Sequence, residues 1–291
     1  MSRVFATAYV LAVLTLVLLS FNVVVLKTPS EVLNVENDFS SNGLQTETFI
    51  ESETTLKNAL TGRLTPVTEP PKILLLGDSF SNAYSLMFDE LHNLSTIPTF
   101  VRSSGRCAFL INGYGPESCV LENEKLQRFI LKNRPKKVFI ANNWNDLFNG
   151  KIYTLPIYHK ETNHSFRLAI EQTVKFLRTN KIDIAFLLSP PMGSSPESCV
   201  TRYLQIFRQV KCNLSKVTEY NNHGHYREFL SGLATRNSIP VFDPHKYLCD
   251  AEECIVMKAG RLFTTDGNHL SPHGATFLAR VAKEQLLGLV R

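Results

Sequence analysis

The sequence has no C-x-x-C pair, no glycine-rich phosphate loop, no dinucleotide fingerprint, no internal repeat and no low-complexity tract. Those absences remove paired-cysteine zinc modules, nucleotide-cradling enzymes and solenoid architectures from consideration. A basic stripe is missing as well. The formal charge is +5, but Lys and Arg are interspersed with acids along the chain, so nucleic acid is not an expected partner. The densest basic run, "KNRPKK" at 132–137, sits just before the apolar "VFIA" and reads as the solvated entrance to a strand. His223 and His225 in "NNHGHYREF" read as exposed loop histidines, because no further ligands can be placed beside them. No metal and no cofactor is expected.

Charge is also absent from residues 4–26, "VFATAYVLAVLTLVLLSFNVVVL", a run of 23 positions. About 20 apolar residues span a bilayer as a helix, whereas the apolar core of a cleavable signal is shorter and ends in an A-x-A-like site. A retained single-pass anchor over 1–27 is the expectation. Arg3 and Lys27 flank the run evenly and leave its orientation open. Residues 28–71 are rich in acids, Ser, Thr and Asn, and close with "TEPP"; they read as a polar stalk or linker.

What the chain does have begins with six cysteines, all beyond the apolar run. They fall into close pairs, Cys107 with Cys119, Cys199 with Cys212, and Cys249 with Cys254, an arrangement that suits short disulfide-closed loops. Sequence alone does not fix their connectivity. Disulfides need an oxidising compartment, which puts the bulk of the chain outside the cytoplasm. Sequons stand at Asn93, Asn163 and Asn213, and matter only in a host that glycosylates.

From residue 72 the pattern alternates. Short apolar runs at 72–77, 97–103, 136–142, 182–189 and 239–243 read as buried parallel strands. Longer periodic segments lie around 81–94, 120–133, 165–180, 216–236 and 273–289. The expected fold of 72–291 is one three-layer α/β/α sandwich on a five-stranded parallel sheet. A functional site belongs beyond the carboxyl ends of its strands.

Two of those ends carry chemistry. "KILLLGDSF" runs a buried strand directly into Gly77-Asp78-Ser79, where Ser79 is either a nucleophile or, like Asp78, only a helix cap. Far along the chain, "TTDGNHLSPHG" sets Asp266 and His269 three apart in a turn before the last helix. A hydroxyl needs a base to become nucleophilic, and an imidazole needs a carboxylate to fix its tautomer and stabilise its charged form. The two stretches together supply all three groups.

On these residues the sequence resembles the SGNH (GDSL-like) hydrolases. The resemblance rests on Gly77-Asp78-Ser79, a glycine after the second strand, an asparagine after the third, and Asp266-x-x-His269. It implies Ser79 as nucleophile, His269 as general base and Asp266 as its orienting partner. It also implies an oxyanion hole from the Ser79 NH, a second-block glycine NH and a third-block asparagine side chain. "SSGRCAFLINGYG" offers Gly105, Gly113 and Gly115, of which Gly105 lies nearest the strand end. In "VFIANNWNDL", Asn145 is the implied donor and Asn143 the alternate, with Asn143 standing where the family has glycine.

The Cys107/Cys119 pair, Trp144 and the Cys249/Cys254 stretch before the histidine resemble, more narrowly, the extracytoplasmic SGNH domains fused to membrane acyltransferase-3 proteins of the OafA/OatA type. That likeness implies transfer or hydrolysis of O-acyl groups, acetyl foremost, on surface polysaccharide. It places the catalytic domain on the periplasmic or extracellular side. It also implies a separate multi-helix acyltransferase as partner, or action on esters already in place. The competing reading is a non-catalytic glycan-binding or assembly domain on the same frame.

Overall fold

The computed structural model describes residues 72–95, 99–111, 115–149, 162–193, 213–258 and 261–290. The expected anchor and stalk, Gly113, and the Cys199 and Cys212 pair lie outside the described residues. Strand β1 (Ile73–Gly77) is buried along its whole length and leads into the helices α1 (Ser79–Ala83) and α2 (Ser85–Ser95). Then come β2 (Thr99–Ser103), α3 (Glu117–Asn133) and β3 (Lys137–Ala141). They are followed by α4 (Trp144–Phe148), α5 (Thr162–Thr179) and β4 (Asp183–Leu187). The next stretch holds β5 (Leu214–Ser215), α6 (Lys216–Arg236), β6 (Val241–Phe242) and α7 (His245–Leu248). Three two-residue strands, β7 (Glu253–Cys254), β8 (Met257–Lys258) and β9 (Arg261–Leu262), precede α8 (Pro272–Val281) and α9 (Lys283–Val290).

Five strands form one parallel sheet in the order β2-β1-β3-β4-β6, as the alternating pattern requires. Strand side chains point alternately to the two faces. Leu74 and Leu76 of β1 therefore join a core with α3, α5 and α6, while Ile73 and Leu75 join a second core with α2, α8 and α9. Each such leucine or isoleucine contributes about 1.5–3 kcal/mol by leaving water. The chain order reverses between β1 and β3, and sheets of this topology bind ligands beyond the carboxyl ends of the strands at such a point.

Tertiary packing decides what local pattern does not. Met87, Phe88 and Leu91 of α2 share a core with Ala275, Leu278 and Ala279 of α8, which draws the C-terminal segment back over β1. The disulfides Cys107–Cys119 and Cys249–Cys254 are formed. Two expectations need correction. Lys132, Arg134 and Lys136 are exposed ahead of β3 as expected, but Lys137 lies buried in the strand with its amine donating to the Leu289 carbonyl at the end of α9. His223 and His225 lie on α6 rather than in a loop, and His223 Nδ1 is 3.3 Å from the buried Glu219. That helix turns polar side chains inward, where Glu219 also meets His245 Nε2 at 2.7 Å, so its apolar stripe is weak.

Gly77 is the tightest point of the sheet. A Cβ there would lie 1.8 Å from the Ala141 carbonyl oxygen and 3.0 Å from Asn142 Oδ1. Backbone cannot yield as a flexible side chain does. Gly77→Ala is expected to lower stability by about 3 kcal/mol, the upper end of overpacking penalties, as read from urea denaturation of the purified chain.

Candidate active site

The end of β1 turns sharply into α1. Asp78 caps that helix, its Oδ1 accepting from the Phe80 NH at 2.9 Å, and Ser79 is the first helical residue. On the far side of the chain, the segment before α8 is tied down at several points. Ser271 caps α8 through its Oγ, which accepts from the Gly274 NH at 2.9 Å, and the Ser271 NH donates to the Phe263 carbonyl. The Asp266–His269 turn is closed by Asp266 Oδ1, which accepts from the NH groups of Asn268 at 2.9 Å and His269 at 2.8 Å. Gly267 takes a left-handed φ of 82° within it, and its carbonyl accepts from the Gly193 NH after β4.

These two ends meet. Ser79 Oγ lies 2.7 Å from His269 Nε2, and His269 Nδ1 lies 2.6 Å from Asp266 Oδ2. Nδ1–H then donates to the carboxylate and Nε2 accepts from the hydroxyl, an order of groups able to draw a proton off an attacking alcohol. The Phe80 ring stands 4.7 Å from the imidazole, centroid to centroid, and packs along one side of it.

The two carboxylates of the site differ in surroundings. Burial works to raise the Asp266 pKa, but the hydrogen bond and charge of His269 and the two backbone NH groups hold it down, at about 2. Asp78 is 1% exposed, and desolvation outweighs its two backbone hydrogen bonds, pushing it up to about 6. Its second oxygen accepts from the Asn143 NH at 2.8 Å. One buried carboxylate thus joins the turn after β1 to the turn after β3.

Of the remaining residues implied by sequence, Gly105, Asn143 and Asn145 follow strands whose ends meet at that junction. Gly105 sits in a turn after β2, closed by the Cys107 NH donating to the Ser104 carbonyl at 2.9 Å. Gly115 lies farther along, just before α3, with a φ of 114°. Asn143 caps α4: its Oδ1 accepts from the Asp146 NH at 3.1 Å and its Nδ2 donates to Asp146 Oδ2 at 3.0 Å, so both ends of this amide are committed. Asn145 differs. Its Oδ1 accepts from Asn149 Nδ2 at 3.0 Å, while its Nδ2 has only a 3.5 Å contact with Asp146 Oδ1. Of the two, Asn145 has the amide group freer to donate to a substrate.

Three contributors were not legible as such. Asp78 reads only as a cap. Phe80 carries no signal of its own in the sequence. Asn142 is fully buried, its Oδ1 accepting from the Phe109 NH at 3.2 Å and its Nδ2 lacking a hydrogen-bond partner among the described residues, and it links the segment after β2 to the end of β3. The one available signal for α4 was Asn143 with an acid three residues on, a capping pattern.

A family model described as "SGNH domain (fused to AT3 domains)" matches residues 49–284. The chain belongs to this SGNH family. No curated protein matches it. Among solved structures, the periplasmic domain of a lipopolysaccharide acetyltransferase from Salmonella ser. Paratyphi A superposes with a TM-score of 0.65 at 14% identity, with 90% of this chain and 98% of that one covered. A GDSL-like lipase from Bacteroides thetaiotaomicron gives 0.46 at 12% identity, covering 82% and 98%. A carbohydrate acetylesterase family member from Sinorhizobium meliloti gives 0.47 at 13%, covering 76% and 99%. At such identities the first likeness speaks for the SGNH fold alone.

The two carboxylates give opposite pH signatures. Asp78 binds its proton more tightly folded than unfolded, so its contribution to stability is most favourable below pH 4 and declines as pH rises through 6, by roughly 3 kcal/mol in all. Asp266 does the reverse, stabilising above pH 4 and losing that contribution as pH falls through about 2. Denaturation curves from pH 4 to 8 are expected to show wild type losing stability relative to Asp78→Asn as pH rises. A pH-independent difference refutes the assignment.

Proposed function

We propose that the chain is a membrane-anchored serine enzyme that moves O-acyl groups, acetyl foremost, on cell-surface polysaccharide, with its SGNH domain on the periplasmic or extracellular side. The observation that carries this reading is the hydrogen-bonded series Ser79–His269–Asp266 just beyond the end of β1. Membership of a family described as fused to AT3 domains supports it, as do the two disulfides, which suit an oxidising compartment. The uncharged run at 4–26 supplies the anchor.

The chemistry follows from the groups. Ser79 Oγ attacks the acyl carbonyl carbon while its proton passes to His269 Nε2. The carbonyl oxygen becomes an oxyanion, which the NH groups of Ser79 and Gly105 and the Asn145 amide stabilise. Collapse breaks the ester bond, and the leaving alkoxide takes the proton from His269. An acceptor hydroxyl then gives its proton to His269 and attacks the acyl-enzyme carbonyl; collapse breaks the acyl–Ser79 bond, and Ser79 Oγ takes the proton back from His269. With a sugar hydroxyl as acceptor the result is transfer, and with water it is hydrolysis. Asp266 stays ionised throughout, as its low pKa requires. A separate multi-helix acyltransferase is the proposed source of acyl groups.

A fluorophosphonate probe is expected to label Ser79 in the purified full chain and to leave Ser79→Ala unlabelled. A folded protein that takes no label points instead to a glycan-binding domain. Replacing His269 by Ala is expected to cut ester turnover about 10⁶-fold. Acetate release from a model ester should be slow, and acetyl should appear on glycan only when a donor is supplied. Rapid release from native polysaccharide without transfer would mark a hydrolase.

A further inference from the structure

The groups proposed to stabilise the oxyanion are unequal in how they are held. The Ser79 NH belongs to a helix, and the Asn145 side chain stands on one. Gly105 stands in a loop and, as glycine, has the widest backbone freedom of any residue. Something outside the glycine must aim its NH.

The structure assigns that task to Ser104 and Glu122, as positioning residues that fix the Ser104–Gly105 peptide and so direct the Gly105 NH at the reacting carbonyl. This rests on the acyl chemistry proposed above.

Every polar group of Ser104 is tied. Its NH donates to the Gly77 carbonyl at 3.2 Å, which extends the β1–β2 pairing by one residue. Its carbonyl accepts from the Cys107 NH at 2.9 Å, and its Oγ donates to Glu122 Oε2 at 2.9 Å. A trans peptide sets its C=O and N–H in opposite directions. With the Ser104 carbonyl turned into the loop, the Gly105 N–H is turned out of it. The neighbouring Ser103 Oγ donates to the Asp78 carbonyl at 2.8 Å, which registers the loop against the nucleophile's own turn.

Helix α3 holds this loop at two places. Cys119 bonds to Cys107, and Glu122, three residues on and therefore on the same helix face, receives Ser104. The disulfide restrains the far end of the turn, where the Cys107 NH also holds the Ser104 carbonyl. Glu122 restrains the near end. Its other oxygen pairs with Arg102, a partner buried to 4% side-chain exposure, and Arg102 also reaches the Ser103 carbonyl. Burial lowers the Arg102 pKa to about 10, which leaves the guanidinium charged at neutral pH. A buried ion pair is a poor source of stability compared with apolar packing. Its location under this loop is explained by the orientation it imposes.

The test uses the full chain with a model ester and a fluorophosphonate probe. Ser104→Ala removes the hydroxyl and leaves the Arg102–Glu122 pair intact, so folding is preserved. It is expected to lower kcat and the labelling rate about tenfold, a fraction of what deleting an oxyanion donor costs, with KM within about twofold. Ser104→Thr keeps a hydroxyl and should restore kcat to within about threefold. A wild-type kcat in Ser104→Ala, or a loss that follows melting temperature and is not rescued by Thr, overturns the assignment while Ser79-dependent turnover still stands. Turnover that persists in Ser79→Ala overturns both this inference and the function beneath it.

Discussion

The contact on which the rest depends is the 2.7 Å approach of Ser79 Oγ to His269 Nε2, across 190 residues of sequence. Neither group is reactive in isolation: an alcohol at neutral pH is a weak nucleophile, and an imidazole without an oriented partner is not held in the tautomer the reaction needs. The fold brings them together through apolar packing well away from both. Helix α8 shares the core beneath α2, and the sharp turn out of β1 needs a residue without a side chain at Gly77. The hydrogen-bonded series is thus a consequence of how the second core closes.

Around this contact the protein uses two carboxylates in opposite ways. Asp266 is half-exposed, beside an imidazole and two backbone NH groups, and is held ionised. Asp78 is sealed from water and serves as a brace, accepting one NH from the nucleophile's helix and one from the turn after β3. Keeping that buried acid has a cost in stability at neutral pH. A brace of this kind ties two strand ends whose relative position is otherwise set only by the parallel ladder. The loop after β2 is joined to the same place through the Asp78 carbonyl, so the turns after β1, β2 and β3 are referred to one residue.

The layered fold was legible because its signals are local. Five apolar runs of strand length and the helical segments between them mark the sheet, and each strand of the parallel sheet falls inside a run so marked. Where local signal failed, a tertiary cause is visible. Helix α4 is five residues long, too short for a periodicity to register, and is held by the Asn143 cap and by Trp144, whose indole NH donates to the Leu187 carbonyl at 2.7 Å. Helix α6 fills the periodic segment marked at 216–236, so the loop reading of His223 and His225 ran against the helical signal around them.

For the site, sequence by itself determined which chemical groups were on hand: a serine after a buried strand, an acid and a histidine three apart in a turn, and cysteines in close pairs. Motif resemblance added their roles. Only tertiary structure decided which groups meet. It alone distinguishes the amide of Asn143, spent at both ends on Asp146, from that of Asn145, and it alone turns Asp78 from a cap into a link between strands. The physical reason is that residue type fixes what a side chain can donate or accept. Whether a partner lies within about 3 Å depends on the closure of the whole core, which no short window of sequence records.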